Sequence, residues 1–388
     1  MTFALSMFFR LIILYKNKLQ TNTIWQGSLC IFFKAKNLCR FTLLLFLLFN
    51  QVSLCIAQRL RCDNLLAAVN LPAKKLTPYL FKNGFVFKGK SYEGDTVLNE
   101  FQCKPFPQKD KITPPYRYFC QRQINHSSIL IYQTSSVIEF QELINSFKTN
   151  GFLNDAPISM VPFEPAVLQY QNLKVSTSFI EKDTIKKYCL QLETDVLPLA
   201  KNLHYADDLL AFSSEECLKF YFGKENVVTD EYYFFDKEVV RCSVLFINTQ
   251  RQVVYIWQDE KNKCTIRQLL FGGEQRLESA KGNNNYIAEN IWKCKSGLQA
   301  GMPLMQLRKL NGTDFKFQSG FSPYFGAILP DTTGKINFKK QHVVLGCMNC
   351  KDQKFLSSSV ISADDAIAGE KILFILSVVL IPNETAQK

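Results

Sequence analysis

Histidine is almost absent from this chain. Only His126, His204 and His342 occur in 388 residues, and none stands in an H-E-x-x-H pattern. Acid–base and triad chemistry near neutral pH generally recruits an imidazole, so this scarcity argues against those enzyme classes. A G-x-S-x-G elbow and a Walker-type phosphate loop are missing as well. The adjacent acids Asp207-Asp208, Glu215-Glu216 and Asp364-Asp365 do not share a helix face. They read as charges complementing helix N-termini rather than as catalytic pairs. Gly272-Gly273 and residues 282–285 punctuate loops without the strand-to-helix setting of a phosphate cradle. No Gly/Ser linker or low-complexity tract occurs, so the modules are expected to pack against one another.

Acid is missing from one region altogether. Residues 1–57 hold Arg10, Lys16, Lys18, Lys34, Lys36 and Arg40 but no Asp or Glu. Within them, residues 41–49 read FTLLLFLLF, and Cys55-Ile56-Ala57 places small residues at −3 and −1 before Gln58. A basic stretch, a short apolar run and a small-residue exit describe a secretory signal, which predicts an exported, periplasmic or extracellular protein. The alternative is an inner-membrane tether formed by residues 41–57, slightly short of the ~20 residues a spanning helix needs. Without residues 1–57 the formal charge falls from +12 to +6, with 40 basic and 34 acidic residues. The longest basic clusters are then pairs such as Lys74-Lys75 and Lys186-Lys187. That excludes the clustered footprint of a nucleic-acid binder.

Ten of the 13 cysteines follow residue 57. In an exported chain they suggest disulfides, and the expected pairs are Cys347 with Cys350 and Cys264 with Cys294. Cys347-Met348-Asn349-Cys350 could also act as a redox pair if it opened a helix that lowered a thiol pKa. A zinc site would need a second ligand pair, and Cys264 and Cys294 would have to converge on the first. The sequons at Asn125, Asn311 and Asn383 matter only in a eukaryotic secretory pathway.

Phenylalanine and tyrosine are abundant, 33 and 15 residues, and favour strands with well-filled cores. LTPYLFKNGF at 76–85 and LINSFKTNGF at 143–152 suggest a duplication with a 67-residue offset. Each reads as an amphipathic helix stopped by Asn-Gly and followed by a buried Phe. Strand-like runs follow at 96–103 and 116–124, and again at 168–179 and 187–193. Ser213-Ser214-Glu215-Glu216 reads as a capping box opening a helix that Gly223 ends. Residues 239–248 and 253–259 read as a hairpin. Further on, Pro303 leads into a helix over 304–310 that presents Met302, Leu304, Leu307 and Leu310 on one face. Phe315, Phe317 and Phe321 then alternate along an extended run. Residues 371–381, KILFILSVVLI, are too short to span a bilayer and predict a central strand with a neighbour on each side.

Gly297, Gly301, Met302, Leu304, Leu307, Leu310, Asn311, Gly312, Phe315, Phe317, Gly320, Phe321 and Gly326 together form a recognisable pattern. It resembles a family of exported Bacteroidota proteins of unknown function over about residues 285–381, a likeness that implies export and no particular activity. The layout alone is also similar to β-lactamase-inhibitor-like modules, which carries no function.

The expected fold is α+β, with three small modules that each pack a short helix or helices on a mainly antiparallel sheet. Their bounds are 58–195, 196–285 and 286–388, after a targeting segment at 1–57. The expected function is non-enzymatic binding or structural support in the bacterial cell envelope, without a cofactor. Its partner is an unknown protein or envelope component, and the membrane is touched only through an uncleaved N-terminal segment. The alternative is a thiol-disulfide oxidoreductase using Cys347 and Cys350.

Overall fold

The computed structural model describes residues 60–382, apart from Asp95, 104–115, 125–126, 155–165, 183–184, 198–201, Phe235, Glu274, 281–289, 321–322, 331–332 and 351–357. The expected targeting segment, His126, Phe321, Asn125 and Asn383 lie outside the described residues. The fold is α+β, built on three antiparallel sheets.

Helices α1 (Cys62–Asn70) and α2 (Ala73–Lys82) precede the meander β1 (Phe85–Glu93), β2 (Thr96–Cys103), β3 (Arg117–Ile124) and β4 (Ser127–Thr134). Helix α3 (Val137–Thr149) precedes a second set, β5 (Leu153–Asn154), β6 (Val167–Tyr170), β7 (Leu173–Lys182) and β8 (Ile185–Asp195). All eight strands join one sheet in the order β1-β2-β3-β4-β8-β7-β6-β5. The order is palindromic. Its centre is the antiparallel β4–β8 ladder, running from Ser127 opposite Asp195 to Thr134 opposite Tyr188.

The two helix ends that begin these meanders are built alike. Gly84 and Gly151 both have φ +84°, a conformation open to glycine without steric cost. The preceding Asn83 and Asn150 have φ/ψ of −89°/14° and −86°/15°. Each asparagine donates its side-chain N–H four residues back, to the Tyr79 carbonyl at 2.9 Å and the Ser146 carbonyl at 2.7 Å. Phe85 and Phe152 then turn into the core. The halves differ in their strands: the run expected over 168–179 breaks into β6 and β7 at Gln171, whose φ is +55°.

The second sheet has the order β14-β16-β12-β11-β10-β9. It comprises β9 (Val227–Tyr233), β10 (Val239–Leu245), β11 (Val253–Asp259), β12 (Cys264–Gly272), β14 (Gln341–Cys347) and β16 (Leu373–Leu380). The apolar run at 371–381 supplies β16, which has β14 on one side and β12 on the other. This corrects the expected boundary at 285/286. Strands from both sides of it share one sheet, because β12 finds its second neighbour about a hundred residues further along the chain. A small third sheet pairs β13 (Lys316–Gln318) with β15 (Val360–Ser362).

Helix α4 (Glu215–Phe222) ends at Gly223 (φ +96°), but its cap is Ser214, whose hydroxyl accepts the Cys217 N–H at 3.1 Å. Ser213 is engaged elsewhere: its hydroxyl accepts from Asn70 at 2.5 Å and its carbonyl accepts from Thr265 N–H at 2.8 Å. Helix α5 (Leu304–Asn311) stops at Gly312 in the left-handed region. It buries Leu304 and Leu307 and partly buries Leu310; Met302, expected on the same face, lies before the helix, where its carbonyl accepts the Ile375 N–H at 2.8 Å. The helix rests on β16 and on helix α6 (Ala363–Ala368). Phe315 and Phe317 are buried in the same continuous core, which extends beneath both large sheets. Gly326 meets the tightest requirement: a Cβ there would lie 2.0 Å from the Leu345 carbonyl oxygen.

Leu307→Ala should therefore cost about 2–5 kcal/mol, the range for emptying a buried leucine site. Chemical denaturation of the variant and the parent chain measures it. A loss under about 1 kcal/mol would show that Leu307 is not part of the closed core.

Candidate functional site

Cys347 and Cys350 form a disulfide with a Cα–Cα separation of 5.8 Å. Cys347 is the last residue of β14, an outer strand of the second sheet. The loop between the cysteines is fastened to the turn before β16. Asn349 accepts the Ile372 N–H at 2.7 Å and donates to the Glu370 carbonyl at 3.0 Å, while Met348 N–H donates to the Ile372 carbonyl at 3.0 Å. A strand end supplies no helix dipole to favour a thiolate. The geometry suits a clasp that holds the ends of β14 and β16 together.

The expected pair of Cys264 with Cys294 is not formed; both are buried free thiols. The chain directs them to different neighbours. Cys264 opens β12 and points to Asn150 Oδ1 at 3.4 Å, at the end of α3. Cys294 lies in a tight turn, where its N–H donates to the Leu298 carbonyl at 2.8 Å. Burial, and then the nearby Asp207, push the Cys294 thiol up. Burial likewise raises Cys217 and Cys242, each to about 12. Among the described residues, no three His, Cys, Asp or Glu side chains cluster as a metal site would require.

Two buried carboxylates form the strongest polar clusters. Glu139, in the first turn of α3, accepts from Arg117 Nε at 2.9 and 3.1 Å, Tyr132 OH at 2.9 Å and Thr134 Oγ1 at 3.0 Å. Ser136 caps the same turn by accepting the Glu139 N–H. The spacing Ser136-x-x-Glu139 before an apolar run was the available sequence signal for this cluster. Glu215, first in α4, accepts from Thr229 (2.8 Å), Ser243 (3.0 Å), Lys219 (2.8 Å) and Lys263 (3.0 and 3.1 Å). Ser243 in turn accepts from the Trp257 indole at 2.8 Å. Burial alone would raise the Glu215 pKa, but the hydrogen bonds from Lys219, Thr229 and Lys263 outweigh it and hold the carboxyl below its usual range. Both carboxylates are saturated by protein donors and have no lone pair to offer a substrate.

The remaining acidic pairs and histidines have local tasks. Asp208 accepts the Tyr205 N–H at 3.1 Å, and Asp207 accepts the Lys295 N–H at 2.8 Å. Asp364 pairs with Arg308 at 2.8 Å. His204 is exposed. His342 lies in β14, where burial lowers its pKa. Asn311 is buried, and its side chain bridges Thr313 and Ile336.

The broadest surface of distinct character is one face of the eight-stranded sheet. Phe101, Phe119, Leu130, Tyr132, Leu190, Leu192 and Val175 point to the helices and are buried. The residues alternating with them point the other way. Tyr118, Arg122, Ile131, Gln133 and Gln191 are half-buried there, and Lys174 and Ser178 are exposed. Tyr118 stacks on Tyr116 with ring centroids 6.4 Å apart, and the Lys187 ammonium lies 4.3 Å from the Tyr116 ring centre. Cys120 and Cys189 sit lower in the same face, and burial raises both thiols. Neither thiol was singled out as a site residue by spacing alone.

The Glu215 cluster gives a pH signature. A carboxyl whose folded pKa is depressed contributes stability above its unfolded pKa, about 4.3, and loses it as the pH falls through the folded value. The stability advantage of the parent chain over Glu215→Gln should thus be full near neutrality and fade below about pH 4. Glu215→Leu should cost about 3 kcal/mol at neutral pH, the lower end for breaking a buried pair, since Lys263 keeps some solvent. Denaturation at a series of pH values reads both, and a pH-independent advantage of Glu215 over Gln would refute the ionised assignment.

No family model, no curated protein and no solved structure matches this chain.

Proposed function

We propose that this chain is an exported, non-enzymatic binding or structural protein of the bacterial cell envelope, with the face of its eight-stranded sheet that no helix covers among the described residues as the contact surface. The observation that carries the reading is the two-sidedness of that sheet. Among the described residues, one face is closed by helices around an aromatic core, and the other is a mixed polar and apolar surface about 34 Å across at ~4.8 Å per strand spacing. Tyr116, Tyr118 and Lys187 give it the amphipathic contacts that protein interfaces favour. The saturated carboxylates Glu139 and Glu215 argue for scaffolding over catalysis. Export is supported by the acid-free N-terminus and by the resemblance over residues 285–381. Among the described residues, no helix is long and apolar enough to cross a membrane.

The test is capture from the native envelope with the exported chain as bait. Tyr118→Ala combined with Gln191→Arg should reduce recovery of the main partner at least tenfold while leaving the melting temperature within a few degrees. Undiminished capture by that variant would remove the face from consideration.

The thiol-disulfide oxidoreductase reading remains the second, supported by the bond between Cys347 and Cys350. Its position at a strand end argues for a structural clasp. Replacing both cysteines by serine should leave the rate at which the protein reduces a disulfide substrate unchanged. A loss of that activity in the double variant would favour the oxidoreductase.

A further inference from the structure

Cys62 opens α1 and Cys264 opens β12, far apart in the chain; both are unbonded thiols in this structure with no exposed surface, and α1 packs directly on β12 and on α3. The Cys62 thiol lies within side-chain interaction range of the Cys264 sulfur and is also set against the Ser146 hydroxyl. Cys264 points to Asn150 Oδ1 at 3.4 Å. Ser146 and Asn150 are one turn apart at the end of α3, so the two thiols meet where α1, α3 and β12 converge.

The backbone around Cys264 is held in an unusual shape. Lys263 and Thr265, on either side, have φ of +52° and +58°. A left-handed conformation is uncommon for a non-glycine residue and an outlier for a β-branched one. The segment is fixed by hydrogen bonds from Thr265 N–H to the Ser213 carbonyl (2.8 Å) and from Glu215 N–H to the Lys263 carbonyl (2.9 Å). Thr265 Oγ1 also donates to Asn150 Oδ1 at 3.3 Å. This clamp sets the direction in which Cys264 projects. The other thiols face different groups: Cys294 faces Asp207 and Ser296, Cys242 faces Asp230, and Cys189 faces Ser178.

We propose that Cys62 and Cys264 are a second disulfide pair, joining the eight-stranded sheet unit to the six-stranded one. The inference rests on the export reading only for its oxidising compartment. The oxidant is a small-molecule disulfide or a disulfide-carrying oxidoreductase. One cysteine thiolate attacks a sulfur of that disulfide and expels the first thiolate as a mixed disulfide forms. The second cysteine thiolate attacks the protein sulfur of the mixed disulfide and expels the other. Two protein S–H groups become one S–S bond, one oxidant disulfide becomes two thiols, and the two cysteine protons end on the expelled thiolates. Because both sulfurs are buried in the folded chain, the exchange belongs to folding, before α1 docks.

The test is disulfide mapping of the full chain refolded in a glutathione redox buffer. Free thiols are alkylated under denaturing conditions, and unreduced peptides are identified by mass spectrometry. The expected result is a peptide pair linked through Cys62 and Cys264, beside the Cys347–Cys350 loop. Cys62→Ser should add Cys264, and no other cysteine, to the thiols that are alkylated in the parent chain. Recovery of both Cys62 and Cys264 as alkylated thiols while Cys347 and Cys350 are linked would overturn the proposal, and it needs no variant to fold. Mapping the protein from fractionated cells separates the two readings. A pair linked in the refolded chain but found as thiols in a cytosolic fraction counts against export and leaves the pairing intact.

Discussion

The burial of α1 on every side is the constraint on which the rest of the fold depends. Of its nine residues, CDNLLAAVN, all but Asn64 are buried. One side lies across β4 and β8, the central pair of the eight-stranded sheet, and another meets α4 and, in the second sheet, β12. Leu65, Leu66 and Val69 each contribute about 1.5–3 kcal/mol by leaving water. Ala67 and Ala68 let neighbouring elements approach. Asn70 closes the helix with its side-chain amide N–H groups, donating to the Leu66 carbonyl and to Ser213 Oγ. Without α1, Leu130, Leu190 and Leu192 would face solvent at the centre of the sheet.

This same helix was hidden in the sequence, for a physical reason. It is only nine residues long, and its polar residues Asp63 and Asn70 are buried among the apolar ones, so the residue types do not mark which side meets solvent. The segments that could be read had a clear boundary between core and solvent. The N-G-F endings at 83–85 and 150–152 marked helix stops, because only glycine takes that φ cheaply. The continuous apolar run at 371–381 marked a strand covered on both faces. The division at 285/286 failed because strand pairing is non-local, and β12 and β16 carry no sign in sequence of being neighbours. Ser214 displaced Ser213 as a helix cap because Asn70 and Thr265, both distant in sequence, already engage Ser213. Of the candidate site residues, Cys347 and Cys350 were legible from their spacing. The neighbour of Cys264 was not, since only the folded chain brings α1 to it.

Glu139 and Glu215 show one device used twice. Each sits in the first turn of a helix whose hydroxyl cap precedes it, turns inward to a sheet, and collects one or more cations and two hydroxyls. The helix N-terminus favours the negative charge, and the sheet supplies donors at fixed positions. Such a network offers less net stability than an apolar core of equal volume. Its value lies in register: a shift of α3 or α4 by one residue would leave a carboxylate buried without partners.

The two edges of the palindromic sheet have unequal consequences. On one side β5 is only two residues long and offers little ladder to a stranger. On the other, β1 runs for nine residues, but its pairing with β2 slips between Phe87 and Gly89, and Lys88 and Lys90 stand exposed there. A kinked, cationic margin is a poor template for adding a ninth strand. The sheet is thereby guarded against edge-to-edge polymerisation at high local concentration, even though it is wide and rich in β-forming residues.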